Sequence, residues 1–147
     1  MIVIDANILL YAYQPRATQH DVCRKWLEQV FNDPAQIGLP WQTIQAFIRI
    51  STHPRVFAAP LSINEATDIV AEWLRLPQVV QIGPSDRYWA IFSDLLRDAQ
   101  VRGPMVTDTA LAAIAIEHGA TLFSTDQDFS RFKGLKWQDP TPAESSK

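Results

Sequence analysis

The amino-acid sequence predicts one α/β domain with a mainly parallel central sheet and helices on both of its faces. Short apolar runs rich in β-branched residues alternate along the chain with longer stretches of helical spacing. Such alternation of strands and helices favours a parallel sheet. The length of 147 residues suits one domain with a real core, and 47% hydrophobic and 20% charged residues are ordinary for a globular protein.

In the first half of the chain the pattern predicts two strands and three helices. "IVI" at residues 2–4 is a strand, and "IGLP" at 37–40 is a shorter one. "HDVCRKWLEQVFN" carries apolar residues at helical spacing. A second helix is expected from about residue 41 to 51, and a third begins at Ser62, where Glu65 completes a capping box.

In the second half the pattern predicts two further strands and two helices. "VVQI" and "TLFST" have the composition of strands. "SDRYWAIFSDLLRDAQVRG" is amphipathic, and the alanine-rich "MVTDTALAAIAIEHG" ends at Gly119. The polar, proline-containing segment from Asp139 is expected to be a flexible tail, which divides the chain into a domain of residues 1–138 and a tail of 139–147.

Composition excludes several functional classes. The apolar runs are shorter than the roughly 20 residues that cross a bilayer, and Asp5 interrupts the apolar start with no basic stretch before it, so neither a membrane span nor a signal peptide is predicted. The single Cys23 excludes an internal disulfide and a cysteine-rich zinc site. A net charge of −3 carries no general nucleic-acid signature. We therefore expect a cytoplasmic protein with no membrane partner.

Three aspartates are predicted to meet at one edge of the sheet. Asp5 directly follows the first strand, and Asp126 follows "TLFST". Asp108 lies in the first turn of the helix before that last strand, and a helix joined to its next strand by a tight turn runs antiparallel to it. The start of the helix and the end of the strand therefore share an edge, where ligands of α/β sheets bind.

Converging carboxylates repel one another, and a divalent cation removes that penalty. Hard oxygen donors in a chain with one cysteine and three histidines indicate Mg²⁺ or Mn²⁺ rather than zinc. Such a site can hold phosphate oxygens and support hydrolysis of a phosphodiester. Asn7, two residues after Asp5, is expected to hold that aspartate in position or to orient a water molecule.

Simpler interpretations compete with each of these assignments. Aspartates at strand ends and helix starts commonly act as helix caps. Three tryptophans occur at helical spacing among aliphatic residues and are expected to be core residues rather than base-stacking surfaces: Trp26, Trp73 and Trp89. Arg49, Arg55 and Lys133 lie in two basic clusters that predict either phosphate contacts or a solvated surface.

Long stretches of the chain resemble a known family. "VIDANILLYA" resembles the opening of PIN-domain proteins, and "VTDTALAAIAIEHGATLFSTDQDFSRFKGLKW" resembles their C-terminal half. "LPWQTIQAFIRISTHPRVF" is similar to the middle of the VapC toxins in that family. The resemblance implies a PIN-like three-layer α/β/α domain, with metal-binding and catalytic acids at Asp5, Asp108 and Asp126. It further implies a metal-dependent endoribonuclease, the homodimeric toxin of a type II toxin–antitoxin pair with a VapB-like antitoxin.

One position departs from the family pattern. The family commonly has a glutamate in the helix after "PW", where this chain has Ala46, and the nearby Gln42 and Gln45 are uncharged. With one charge fewer, affinity for a second cation should fall, which leaves open whether one metal or two are used. An alternative is therefore a PIN-like domain that binds RNA or a protein partner and cleaves poorly. A phosphatase with Asp5 as nucleophile is disfavoured, because Asn7 stands where its second acid would be.

Overall fold

The computed structural model describes residues 1–141. The elements, in chain order, are β1 (Ile2–Ile4), α1 (Ala6–Ala12), α2 (His20–Phe31), β2 (Ile37–Pro40), α3 (Trp41–Ser51), α4 (Ile63–Arg75), β3 (Val79–Ile82), α5 (Tyr88–Asp98), α6 (Met105–Glu117), β4 (Thr121–Phe123), a 3₁₀ helix (Gln127–Arg131) and β5 (Lys136–Gln138).

The five strands form one parallel sheet in the order β3-β2-β1-β4-β5. The predicted parallel α/β architecture is therefore confirmed. β1 and β4 are adjacent at the centre, with Val3 opposite Leu122 and Ile4 opposite Phe123. Because all paired strands run the same way, the segments that follow β1, β2 and β4 leave the sheet at the same edge.

Two buried clusters, one on each face of the sheet, make this a three-layer domain. Ile4 and Leu39 belong to the cluster covered by α1 to α4, whereas Val3 and Leu122 belong to the cluster covered by α5 and α6. Neighbouring residues Val3 and Ile4 enter opposite clusters because successive strand side chains alternate in direction. The sheet is thus held between two apolar layers.

Most predicted elements are confirmed. β5 was not predicted, and α1 was expected only in the alternative that makes Asp5 a helix cap. The apolar run after Asp5 is a helix, capped by the Asp5 carboxylate, which accepts a hydrogen bond from the Ala6 N–H. β5 is a short edge strand that depends on pairing with β4. The capping box of Ser62 and Glu65 at the start of α4 is present as predicted.

The tryptophan prediction was correct for two residues and wrong for the third. Trp73 is buried, and Trp26 is partly buried against the same cluster. Trp89 is 67% exposed, so it is not a core residue. Helical spacing placed it on α5, whose buried residue is Leu95 and whose partly buried residues include Ile91 and Phe92.

Two features concern the ends and surface of the chain. Asp139, at the start of the expected tail, accepts hydrogen bonds from the backbone and side chain of Thr141. The remaining residues of that expected tail, 142–147, lie outside the described part. None of the helices within residues 1–141 has the length and apolar character to cross a membrane.

Candidate active site at the carboxyl edge of the sheet

Asp5 lies where the chain leaves β1 and enters α1. Its backbone N–H donates to Phe123 O at 2.9 Å, which fixes it beside the end of β4. One carboxylate oxygen, Oδ1, accepts a hydrogen bond from the Ala6 N–H at 2.7 Å, and the other, Oδ2, accepts one from the Ser124 hydroxyl at 2.7 Å. Asp5 is thus a helix cap, as the simpler interpretation held, and it is also rigidly oriented.

Ser124 is the centre of the hydrogen bonds at this edge. Its side chain is fully buried, donates to Asp5 Oδ2, and accepts from Asn7 Nδ2 at 3.2 Å and from the Asp126 N–H at 3.0 Å. Its own backbone is held by β5, because Ser124 O accepts from Trp137 Nε1 at 3.1 Å. One hydroxyl therefore connects the segments that follow β1 and β4.

Asp108 faces Asp5 across a small cavity. The cavity has a volume of about 50 Å³ and contains both aspartates in its lining, together with Gln42, Thr43 and Ala46 of α3. Unlike Asp5, Asp108 makes no side-chain hydrogen bond to any residue in the described part of the chain. Asp108 is thus a first-turn acid of α6, as the simpler interpretation held, but its side chain caps no backbone N–H group within residues 1–141.

Asp126 lies beside this cavity without lining it. It is the residue before the 3₁₀ helix, and its Oδ1 accepts a hydrogen bond from the Asp128 N–H at 2.9 Å. Across residues 1–141, no three Asp, Glu, His or Cys side chains are arranged as ready metal ligands. The structure brings Asp5 and Asp108 together, and it connects Asp126 to them through Ser124.

The acids at this edge perturb one another's protonation. Burial raises the pKa of Asp108 to about 6, and the charges of Asp5, Asp126 and Asp128 add to that effect. Burial also raises the pKa of Asp5, although hydrogen bonds from Ser124 and Ala6 oppose the shift. The sole ion pair within residues 1–141, between Arg24 and Glu28, lies on α2. The crowded negative charge therefore has no cationic partner in the described structure.

The donor set fits a hard divalent cation. Among the described residues that line the cavity, the polar ones carry carboxylate, amide or hydroxyl oxygens, and none is a cysteine, histidine, lysine or arginine. Carboxylate and amide oxygens are the ligands that Mg²⁺ and Mn²⁺ prefer. A cavity of about 50 Å³ has room for an ion and little water, so a larger ligand would have to bind outside it and contact the ion from there.

Ala46, the position that departs from the family pattern, lines the cavity. Ala46 contributes only a methyl group to the lining, and Gln42, one helical turn earlier, lies on the same face of α3. The buried hydroxyl of Thr43 donates to Ile4 O at 3.1 Å, which ties the first turn of α3 to the end of β1.

The three basic residues singled out in the sequence are not part of the cavity. Arg49, Arg55 and Lys133 are all exposed, on α3, in the loop after α3 and in the loop before β5. Arg49 follows Ala46 by three residues and therefore lies on the same side of the helix. Neither Arg55 nor Lys133 lines the cavity between the acids.

Sequence reasoning missed Ser124. A serine between an apolar strand and an aspartate resembles an ordinary turn residue. The available signal was its position at the carboxyl end of a central strand, two residues before Asp126. Its contact with Asp5 spans 119 positions, which a local pattern does not reveal.

The parallel α/β sheet and the oxygen-rich cavity at its carboxyl edge define an α/β domain with an acidic candidate site. A family model described as "PIN domain" matches residues 2–135. The chain belongs to the PIN-domain family. Within it, the chain is 39% identical over 140 residues to Ribonuclease VapC33 of Mycobacterium tuberculosis, covering 95% of this chain and 98% of the relative.

Other comparisons agree with this assignment. The chain is 36% identical to Ribonuclease VapC43 of Mycobacterium tuberculosis, with 95% of both chains covered. Its fold is similar to that of VapBC2 from Rickettsia felis, solved bound to a DNA fragment from its promoter. That match has a TM-score of 0.67 and 19% identity, and covers 95% of this chain and 98% of the other.

Proposed function

We propose that this chain is a divalent-metal-dependent endoribonuclease, the toxin of a VapBC-like toxin–antitoxin pair, which hydrolyses RNA phosphodiester bonds. The observation that carries the proposal is the cavity shared by Asp5 and Asp108, two carboxylates with raised pKa and no cationic partner within residues 1–141. The near full-length similarity to proteins named VapC ribonucleases supports the reaction class.

Mg²⁺ is the proposed cofactor, with Mn²⁺ as an alternative, and Asp5, Asp108 and Asp126 are the proposed catalytic and metal-binding acids. A bound divalent cation supplies positive charge that offsets the carboxylates and polarises a phosphate oxygen. Asp108 has both carboxylate oxygens available for this role. Asp126 is the flanking acid, linked to Asp5 through Ser124.

The other residues of the site hold these acids in place. Each oxygen of Asp5 accepts one hydrogen bond and keeps a further lone pair for a ligand. Asn7 is the proposed supporting residue, because it donates to the hydroxyl that orients Asp5. Ser124 restrains the orientation of the Asp5 carboxylate, because the Ser124 hydroxyl is itself held by hydrogen bonds from Asn7 and from the Asp126 N–H.

RNA contact is proposed at Arg49, Arg55 and Lys133, which are exposed basic side chains. Binding of single-stranded RNA to the inactive D5N variant should weaken with salt, and each lost phosphate contact should reduce the log–log slope by about 0.7. Slopes unchanged by R49A, R55A and K133A would assign these residues to the solvated surface.

The proposed partners are a VapB-like antitoxin and a second copy of the chain, in the cytoplasm. The proposed domain comprises residues 1–138, followed by a tail of 139–147. Association with an antitoxin is supported by the fold shared with the VapBC2 complex. Purification together with the product of an adjacent small open reading frame, and the mass of the free chain by light scattering, test these two assemblies.

RNA cleavage tests the proposed activity directly. Wild-type protein should cleave RNA in Mg²⁺, lose cleavage in EDTA and regain it when Mg²⁺ is restored. D5N should remain inactive in all three conditions while keeping its fold by circular dichroism. Cleavage by D5N at the wild-type rate, or wild-type cleavage that persists in EDTA, would reject the proposed mechanism.

A second candidate, a PIN-like domain that binds RNA or protein and cleaves poorly, is favoured by the methyl group of Ala46 in the cavity lining. A46E adds a carboxylate there and should tighten divalent binding, which raises cleavage most at low Mg²⁺. A silent wild type, with cleavage gained in A46E and lost again in the double variant A46E with D5N, would establish the second candidate instead.

A further inference from the structure

The cavity between Asp5 and Asp108 contains an oxygen donor that the sequence motifs do not assign. Gln42 lies in the first turn of α3 and lines the same cavity as both aspartates. Its side chain is partly buried, and its amide makes no hydrogen bond to another residue in the described part of the chain. A polar group in this setting has capacity to bind a ligand.

The position of Gln42 is fixed by the sheet. β2 ends at Pro40 and α3 begins at Trp41, so the first turn of α3 stands at the edge where Asp5 follows β1. The hydroxyl of the adjacent Thr43 donates to Ile4 O, one residue before Asp5. The hydrogen bond between Thr43 and Ile4 therefore fixes the position of the neighbouring Gln42 beside the acids, while the Gln42 side chain itself stays unpaired within residues 1–141.

Gln42 and Ala46 are complementary across one helical turn. The methyl group of Ala46 provides no oxygen atom that could bind a cation. It also leaves space that a longer side chain on the same face of α3, such as that of Gln42, can enter. A glutamine carbonyl is a hard, neutral ligand for Mg²⁺-type and Ca²⁺-type cations. It supplies an oxygen without adding a further charge to carboxylates that already repel one another.

We propose that Gln42 supplies a neutral amide oxygen to the cation that Asp5 and Asp108 bind, in place of the carboxylate that is absent at Ala46. This inference rests on the proposed function, because it takes the divalent site as given. Compared with a site that has a glutamate at position 46, the proposed site has the same number of oxygen ligands and one negative charge fewer. One tightly held cation, rather than two, is the stoichiometry that follows.

Gln45 provides a matched control. It is the same residue type on the same helix, is exposed, and does not line the cavity. Mn²⁺ affinity and stoichiometry are measured by isothermal titration calorimetry on the full chain without RNA. The variants are Q42A, Q42E, Q45A and Q45E, with D5N as the reference for loss of the site.

Q42A should weaken Mn²⁺ binding about tenfold, a typical loss when a group supporting a metal site is removed. Q42E should bind more tightly than wild type because it restores the missing charge, whereas Q45A and Q45E should match wild type. Q42E also keeps the test valid if Q42A folds poorly. These results together would support the inference.

Three outcomes would overturn it, and they differ from one another. Wild-type affinity in Q42A with loss in D5N would reject Gln42 as a ligand while leaving the cation site intact. Unchanged Mn²⁺ affinity with weakened RNA binding in Q42A would assign the amide to RNA instead. Absence of Mn²⁺ binding by wild type would reject the cation site itself, and this inference with it.

Discussion

Helix α6 carries one acid at each end, and the two differ in their hydrogen bonding. Glu117, its last residue, accepts hydrogen bonds from the Ser85 and Arg87 N–H groups, both at 2.8 Å. Asp108, in its first turn, makes no side-chain hydrogen bond within residues 1–141, and its pKa is raised to about 6.

The helix dipole makes this contrast informative. Negative charge is favoured at the N-terminus of a helix and disfavoured at its C-terminus. Glu117 occupies the unfavourable end and is compensated by the loop between β3 and α5, so it stabilises the fold. Asp108 occupies the favourable end, yet other acids surround it. An acid that has no hydrogen-bond partner and lies beside like charges is typical of functional sites, which is why we propose a ligand-binding role for Asp108.

The largest expected difference between the two acids is in RNA cleavage. Each is changed to its amide, which alters charge while preserving shape. D108N should lose about a hundredfold or more of the cleavage rate, the scale of losing one charge-stabilising group. E117Q should stay within about threefold of wild type, since Glu117 lies at the far end of the helix. Comparable losses in both variants would remove the distinction.

The effect on stability should be the reverse, with the larger loss at Glu117 and little or no loss at Asp108. E117A removes the acceptor of two exposed loop N–H groups, which water can then bind, and should lower the free energy of unfolding by about 0.5–1 kcal/mol. D108A removes a charge that other acids repel, so in EDTA it should be neutral or stabilising. Urea unfolding of both variants checks this. A D108A protein that is the less stable of the two would contradict the assignment.

The pH dependence of stability gives a smaller effect. The folded state holds a proton on Asp108 up to about pH 6, whereas the unfolded state releases it near 3.8. Because the folded state binds this proton more tightly than the unfolded state, the free energy of unfolding is higher at low pH and falls as pH rises from about 4 to 6. Because Asp108 is partly exposed, the loss should be on the order of 1 kcal/mol. Metal-free D108N should lack this loss, and parallel profiles of the two proteins would contradict the shift.

Sequence patterns were sufficient to locate the acids and most of the frame that positions them. Asp5 and Asp108 lie at one cavity because parallel topology brings strand ends and helix starts to a common edge. Ala46 was expected near them, and it lines the same cavity. The shared edge follows from periodicity and from the order of the elements along the chain, whereas the expectation for Ala46 followed from the family resemblance.

What sequence patterns did not reveal depends on contacts between distant residues. β5 exists through pairing with β4, and the role of Ser124 arises from a bond across 119 positions. The pattern alone did not assign α1 as a helix, because seven residues are too few to display a helical period. Trp89 was expected in the core because spacing identifies a face but not what covers it.

Divalent cation binding tests the central claim most directly, namely that Asp108 is kept for a ligand and Glu117 for the fold. Melting temperatures of wild type, E117Q and D108N are compared in EDTA and in Mg²⁺ or Mn²⁺. At a hundred times the dissociation constant, binding should stabilise wild type by about 2.7 kcal/mol. E117Q should show the same increment from a lower starting point, and D108N should lose most of it. A full increment in D108N, or its loss in E117Q, would contradict the account.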